Sequence, residues 1–393
     1  MQPEPSVRPE PSTSAQPPTK PPTKPSEPSD PSESAEPPGL SDSPEPPSRS
    51  PVSPAKSPAA PMPGPPARPQ PPALPVPRAT APFHEPRRPD CPWCGSRRLR
   101  TRLRAPDLRH RAPGSFVVEE CRDCAHVFQN PRLTPQGLAF HHREFRDQRV
   151  QPLVDRLDSA RRHRAAARAL LRCPGFTEPE GWLDVGTGHA RFPEAARDVF
   201  PYTSFDGLDP APRVLRARAA GRIEEAYVGR LTDPHLTARL RARYDVVSMF
   251  HHLPYAPDPR GELRAALTVL RPGGHLLVEV PDPASAFGTL LGKWWLPHGQ
   301  PRHAQLLPLD NLRAELTALG CTIVSTDRRA PHTPYDLSGA LTLALGHILP
   351  TGPLRATTPL VAAATTLDSV LAPLLRRTRF ANAYRVVARK EGD

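Results

Sequence analysis

G-W-L-D-V-G-T-G-H-A-R-F, residues 181–192, reads as a buried strand that turns sharply into a helix. Trp182, Leu183 and Val185 are the apolar end of the strand, and apolar residues recur at helical spacing from Ala190 to Val199. Between them Gly186 and Gly188 allow backbone dihedrals closed to residues with a Cβ, so a ligand can approach the chain closely there. In an open α/β sheet such a turn is where a nucleotide-like cofactor sits, at the carboxyl ends of the strands and against a helix N-terminus.

About 25 residues further on, F-D-G-L-D-P places Asp209 at the end of a second strand, where a carboxylate can accept hydrogen bonds from ribose hydroxyls. The pair fits one βαβ unit, and by itself leaves a dinucleotide and S-adenosylmethionine both open. Two later stretches separate them: Y-D-V-V-S-M-F-H-H-L at 244–253 and L-R-P-G-G-H-L-L-V-E-V-P-D-P at 270–283. These resemble the fourth and fifth strands of class I S-adenosylmethionine-dependent methyltransferases, a resemblance running from about Glu180 to Lys390. It implies an α/β, Rossmann-like core of seven strands in the order 3-2-1-4-5-7-6, the last antiparallel, with helices on both faces. It also implies that Asp184 helps hold the methionine end of the cofactor, that Gly186, Thr187, Gly188 and Phe250 border it, and that Asp209 binds its ribose. Ala190 stands where the family has a third glycine, a departure that still allows close helix packing.

The first 88 residues hold 30 of the 59 prolines, with Ser, Thr, Glu, Lys and Ala between them and almost no large apolar side chain. Such a segment cannot bury enough surface to offset its ordering entropy and is expected to be disordered. Its nine basic and nine acidic residues balance, so the net charge of +12 arises elsewhere. No apolar run follows the N-terminus, which leads to the expectation of a cytoplasmic protein.

Four of the six cysteines form C-P-W-C, Cys91 and Cys94, and C-R-D-C, Cys121 and Cys124, with 26 residues between the pairs. Two thiolates from each tight turn complete a tetrahedral zinc site with no open position, which makes it structural; disulfides are the alternative. A zinc ribbon is therefore expected over 89–130, followed by a helical linker over 131–178 with an arginine-laden helix from about Arg149 to Leu171. Between the knuckles, R-R-L-R-T-R-L-R at 97–104 offers phosphate contacts for nucleic acid, although no aromatic residues interleave it. The four cysteines, N-P-R at 130–132 and the later strands together resemble bacterial methyltransferases with an N-terminal zinc-binding module, several of which act on sugars or other natural-product intermediates. That implies a small-molecule acceptor.

His251 and His252 stand at the end of strand four, where a histidine can take the proton of an acceptor hydroxyl during an in-line methyl transfer. After strand five, F-G-T-L-L-G-K-W-W-L-P-H-G-Q-P-R-H at 287–303 is expected over the cofactor mouth, with Trp294, Trp295, His298 and His303 as an aromatic wall around the acceptor. An insertion from about Pro331 to Arg379 carries two apolar helices, each too short or interrupted for a membrane span; it fits a lid or dimer interface, or a membrane-surface dock beside Arg376, Arg377 and Arg379. These features point to O-methylation of a small molecule. An RNA methyltransferase gripping nucleic acid with the ribbon, and a binding protein that holds the cofactor without turnover, are the alternatives.

Overall fold

A computed structural model of the chain describes residues 83–141, 159–349 and 354–392. The tail expected over 1–88, the first part of the helix expected from about Arg149, and the P-T-G-P break at 350–353 lie wholly or largely outside these residues.

The chain begins with a small antiparallel ribbon, β1 (Leu99–Pro106), β2 (Ser115–Cys121) and β3 (Val127–Gln129). Among the described residues α1 (Pro135–His141) and α2 (Ala160–Leu170) follow. Strands and helices then alternate: β4 (Gly181–Val185), α3 (Arg191–Ala196), β5 (Ser204–Asp209), α4 (Arg213–Ala219), β6 (Ala226–Val228), α5 (Pro234–Arg239), β7 (Tyr244–Phe250), α6 (Pro259–Val269) and β8 (Leu270–Pro281). The remainder is α7 (Ala286–Leu290), β9 (Gln305–Leu306), α8 (Leu309–Ala318), β10 (Cys321–Asp327), α9 (Asp336–Ile348), α10 (Leu354–Leu375) and β11 (Ala383–Lys390).

The large sheet runs β6-β5-β4-β7-β8-β11-β10, the order expected, with β11 antiparallel to both neighbours. Its inner strands β7 and β8 are buried on both faces over most of their length, so they read as largely apolar runs, whereas the edge strand β10 is mostly half-buried or exposed. Leu183, Val247 and Leu276 enter one core, while Trp182, Val246 and Leu277 enter the other, as the two-residue period requires. The winding reverses between β4 and β7, which opens a crevice at their carboxyl ends. Ala166, Ala167 and Leu170 of α2 pack into the second core with Trp182 and Phe192, so this helix is a layer of the domain and not the linker expected over 131–178.

The ribbon is tied into that sheet's domain. β9, from the loop after β8, adds a fourth strand to it, with Leu306 opposite Val127 and Gln305 opposite Phe128. Val118, Val127, Phe287, Trp295 and Leu306 share one apolar cluster across the junction. The arginine run is paired across the ribbon: Arg98 with Asp123 at 2.6 Å, and Arg100 and Arg102 with Glu120 at 2.8 and 3.3 Å.

In the insertion, Asp368 of α10 accepts from the N–H groups of Leu337 and Ser338 at 3.0 and 2.9 Å and from Ser338 Oγ at 2.7 Å. A single carboxylate in a largely apolar helix thus caps α9 and locks the helices together. α10 leaves Leu360, Leu367, Val370 and Leu374 exposed. It is continuous through Pro359 and Pro373, which lie toward its ends, and by length and composition it is able to cross a membrane, unlike the short or broken helix expected.

Candidate active site

The glycine turn between β4 and α3 is held in one shape. Gly186 and Gly188 have φ of 76° and 58°, and the N–H groups of Gly186 and Thr187 both donate to Leu208 O, at 2.7 and 3.1 Å. A Cβ on Gly186 would lie 2.6 Å from His252 Nδ1, so glycine is required there for space as well as for φ. Ala190, fully buried, also has a left-handed φ of 56°, a strain of about 1–2 kcal/mol that a glycine would not carry. Thr187 Oγ1 is buried and has no partner among the described residues, a polar atom left for a ligand.

Asp184 is buried at the end of β4 and accepts from Ser248 Oγ at 2.6 Å, while Ser248 accepts from Trp182 Nε1 at 2.9 Å. Asp209, 1% exposed, receives four donors: Gly188 N at 3.0 Å, Ala211 N at 2.8 Å, and Arg213 Nε and Nη2 at 3.1 and 3.0 Å. A carboxylate offers about four lone-pair sites, so a further hydroxyl donor would reach Asp209 only by displacing one of these donors, and Arg213, with its side chain 36% exposed, is the partner nearest solvent. Asp209→Ala is expected to weaken S-adenosylhomocysteine binding by about 1–3 kcal/mol, measured by calorimetry. Unchanged affinity would remove the ribose role.

The two histidines after β7 part company. His251 lines the main cavity and has a left-handed φ of 54°, its N–H bonded to Glu279 O at 2.7 Å. Strained backbone at a residue facing a cavity is a mark of functional sites. Its Nε2 lies 3.8 Å from Glu279 Oε1. Burial is the main force on its ring, pushing it down to about 4 against the opposing pull of Glu279. His252 turns instead to Glu262, Nε2 to Oε2 3.3 Å, and packs under Gly186, so the acceptor-side role expected of it is not available. Phe250 stacks on Phe192 with ring centroids 4.3 Å apart.

Glu279, Arg385 and Arg162 were not anticipated. Glu279 of β8 is buried and takes Arg385 Nε and Nη2 on Oε2 at 2.9 and 2.5 Å, and Arg162 Nη2 on Oε1 at 3.0 Å. A charge inside each of two apolar strands, V-E-V and Y-R-V, was the signal for the first two; nothing distinguished Arg162 from its neighbouring arginines.

The cavity that His251 lines lies between β1 of the ribbon, the loop after β8 and α9, a space of about 900 Å³ that includes open solvent at its mouth. Trp295, His298 and His303 line it. Trp294 does not: it packs edge-on against His347 at 5.7 Å, while Trp295 Nε1 donates to the buried Asp336 at 2.7 Å. Of two adjacent tryptophans in tight 3-10 turns only one faces inward, and the phase of the turn selects Trp295.

The four Sγ atoms of Cys91, Cys94, Cys121 and Cys124 lie within 4.8 Å of one another. Cys91 and Cys124 are 3.7 Å apart, Cys94 and Cys121 3.5 Å. A tetrahedron with metal–sulfur bonds of about 2.3 Å has edges of about 3.8 Å, so the cluster fits zinc. The knuckles match: Gly95 N bonds Cys91 O at 2.9 Å and Ala125 N bonds Cys121 O at 3.0 Å, with φ of 75° and 55°. Burial pushes the Cys91 thiol up to about 11 and Cys124 up as well, so without a cation these sulfurs are poorly held as thiolates.

Residues 158–326 match a family described as a methyltransferase domain. The chain is 29% identical over 142 residues to the ubiquinone biosynthesis O-methyltransferase of Alkalilimnicola ehrlichii, covering 35% of this chain and 55% of that protein. It is 35% identical over 97 residues to the protein of that name from Serratia proteamaculans, covering 24% and 39%. The chain thus spans about half the length, or less, of these curated relatives. Among solved structures, geranyl diphosphate methyltransferase in complex with S-adenosylmethionine is similar with a TM-score of 0.38 and 14% identity, over 57% of this chain and 84% of that one. The stretch that carries the glycine turn, Asp209 and His251 is therefore the part of the chain that is similar to methyltransferase domains.

Proposed function

We propose that the protein methylates a hydroxyl of a small molecule, a sugar or other natural-product intermediate, seated in the cavity between ribbon and sheet. The observation that carries this is the cavity itself: His251, at the carboxyl end of β7, stands in its wall next to His252, which packs under Gly186, and the ribbon and α9 close its other sides. The name O-methyltransferase of the curated relatives supports oxygen as the acceptor atom.

S-adenosylmethionine, when bound, supplies a sulfonium methyl carbon open to in-line attack. The glycine turn, Thr187 Oγ1 and Asp209 would hold it. The apolar walls exclude water and fix the hydroxyl on the attack line, which is the larger part of such catalysis. His251 accepts the hydroxyl proton, and Glu279 at 3.8 Å counters the imidazolium charge. Cys91, Cys94, Cys121 and Cys124 would hold a structural zinc that keeps the ribbon in place as a wall. Four reduced cysteines agree with a cytoplasmic setting.

RNA is the less favoured substrate because Arg98, Arg100 and Arg102 are spent on Asp123 and Glu120, leaving fewer charges for phosphates. The test is to incubate the full chain with methyl-labelled S-adenosylmethionine and cell extract, then separate RNA, protein and small molecules. Label is expected in small molecules and should fall by about 10²- to 10⁴-fold with His251→Ala, with cofactor affinity retained. Nuclease-sensitive label would replace the small-molecule reading with RNA, and cofactor binding with no label in any fraction would leave a binding protein.

A further inference from the structure

We infer that the acceptor taken by this cavity carries an oxyanion, a carboxylate or a phosphoryl group, seated against Arg109 and Arg302 with Lys293 as a third cation. The inference rests on reading the cavity as the acceptor site. Three side chains of positive charge line the cavity, and no Asp or Glu does among the described residues. Several buried or half-buried arginines elsewhere are paired with carboxylates: Arg197 with Glu224, Arg260 with Glu315, and Arg162 and Arg385 with Glu279. Arg109 and Lys293 have no carboxylate partner among the described residues; Lys293 Nζ lies 4.8 Å over the Trp294 ring at the cavity's edge, and Arg109 Nε is buried without a hydrogen bond. Leaving a buried guanidinium donor unpaired is costly, so such a donor in a cavity wall points to a ligand.

The nearest acid does not quench this charge. Asp107 is buried behind the wall, where its Oδ1 accepts from Arg109 N at 3.0 Å and His110 N at 2.8 Å and faces His110 Nδ1 at 3.6 Å. Arg302 donates its Nε to His141 O at 2.9 Å. Burial lowers its basicity, and the field of Arg109 acts in the same direction against the opposing fields of Tyr255 and Asp107, so the two guanidinium groups that line the cavity repel each other. An anion placed there would relieve that repulsion in a region of low dielectric.

His298 adds the complementary half. It is 3% exposed, its Nδ1 lies 2.9 Å from Gly292 O and is therefore the protonated nitrogen, and its Nε2 is buried without a partner. A bare lone pair in the wall suits a hydroxyl donor. Cations and a hydroxyl acceptor in the wall of one cavity describe a hydroxylated anion, held by its charge while a hydroxyl is presented for methylation.

The test is calorimetry on the full-length protein loaded with S-adenosylhomocysteine, titrated at low ionic strength with inorganic phosphate and, separately, citrate. Saturable binding of at least one is expected, weakened tenfold or more by Arg109→Gln and by Lys293→Gln, and unchanged by Arg97→Gln on the exposed ribbon surface. Binding of phosphate alone assigns a phosphoryl acceptor, and of citrate alone a carboxylate. No saturable binding of either, or equal affinity in the Arg109→Gln and Lys293→Gln proteins, overturns the inference. Failure of S-adenosylhomocysteine itself to bind overturns the proposed function instead, so the two failures are told apart.

Discussion

Replacing Glu279 with alanine is expected to cost about 3–5 kcal/mol of folding stability, read as a shift in the urea midpoint at pH 7. Glu279 and Arg385 face each other in register on β8 and β11, and each side chain is 4% exposed. Arg162 brings α2 to the same carboxylate and also donates to Pro331 O at 3.0 Å, where the insertion leaves the sheet. One carboxylate therefore joins two strands, a covering helix and the root of the insertion. Deleting it leaves two guanidinium groups facing each other with no counter-charge, and the penalty is that of the stranded cations more than of the lost bonds. Glu279→Gln keeps the shape and some of the hydrogen bonds, and should fall between the two proteins. A loss under about 1 kcal/mol for the alanine variant, the range of exposed ion pairs, would mean that water reaches the cluster.

The same cluster sets the acid limit. Burial alone would raise Glu279, but the charges of Arg385 and Arg162 hold it at about 2, below its ordinary 4.5. Its contribution to stability is present above 4.5 and is lost as pH falls toward 2. His251 acts in the same direction by a different route. Its folded value of about 4 lies below the ordinary 6.5, so between these values the unfolded chain takes up the proton first and stability falls as pH drops through that window. The melting temperature is expected to decline from pH 7 to pH 5 on account of histidine, and more steeply below pH 4.5. In the Glu279→Gln protein the second decline should be reduced.

The individual strands were legible because their signals are local, and their order followed only from the resemblance those signals carry. A strand with a glycine turn, an acid one βαβ unit later and two apolar runs ending in H-H and P-D each announce themselves within about ten residues. The cysteine knuckles were legible for the same reason. What escaped depends on partners remote in sequence. β9 is two residues long and has meaning only beside β3. Glu279 and Arg385 are 106 positions apart and look like two misplaced charges until the strands are neighbours. His251 and His252, and Trp294 and Trp295, are adjacent pairs in which backbone conformation decides who faces the cavity; the left-handed φ of His251 is not a property that its sequence neighbourhood displays. Arg213 on Asp209 was within reach, since D-P-A-P-R puts an arginine four positions after the acid, at a helix start.

Stripping the metal from the four-cysteine site is expected to unfold the ribbon while the sheet stays folded. Structural zinc contributes roughly 10–16 kcal/mol of apparent binding free energy at neutral pH, more than a small three-stranded ribbon is able to replace by burial. The consequence should extend beyond the ribbon. Its knuckles are bonded to the core by Arg260 Nη1 to Trp93 O at 2.7 Å and by Asn311 Nδ2 to Cys124 O at 3.0 Å, and Arg102 Nη2 reaches Pro283 O at 2.8 Å beside the cavity. Leu103 and Ala105 of β1 are part of the cavity wall. With the ribbon unfolded, the acceptor pocket loses that wall, whereas the glycine turn and Asp209, on the far side of β4, keep their bonds. Chelation, or Cys121→Ser, should therefore abolish methyl transfer with S-adenosylhomocysteine affinity nearly unchanged, and amide exchange should rise across residues 91–129 before it rises in β4 or β7. Zinc measured at one equivalent in the purified protein and lost in step with ribbon protection would support the assignment. A ribbon that keeps its protection after chelation, or a Cys121→Ser protein with full activity, would show that the four sulfurs hold the fold without a metal.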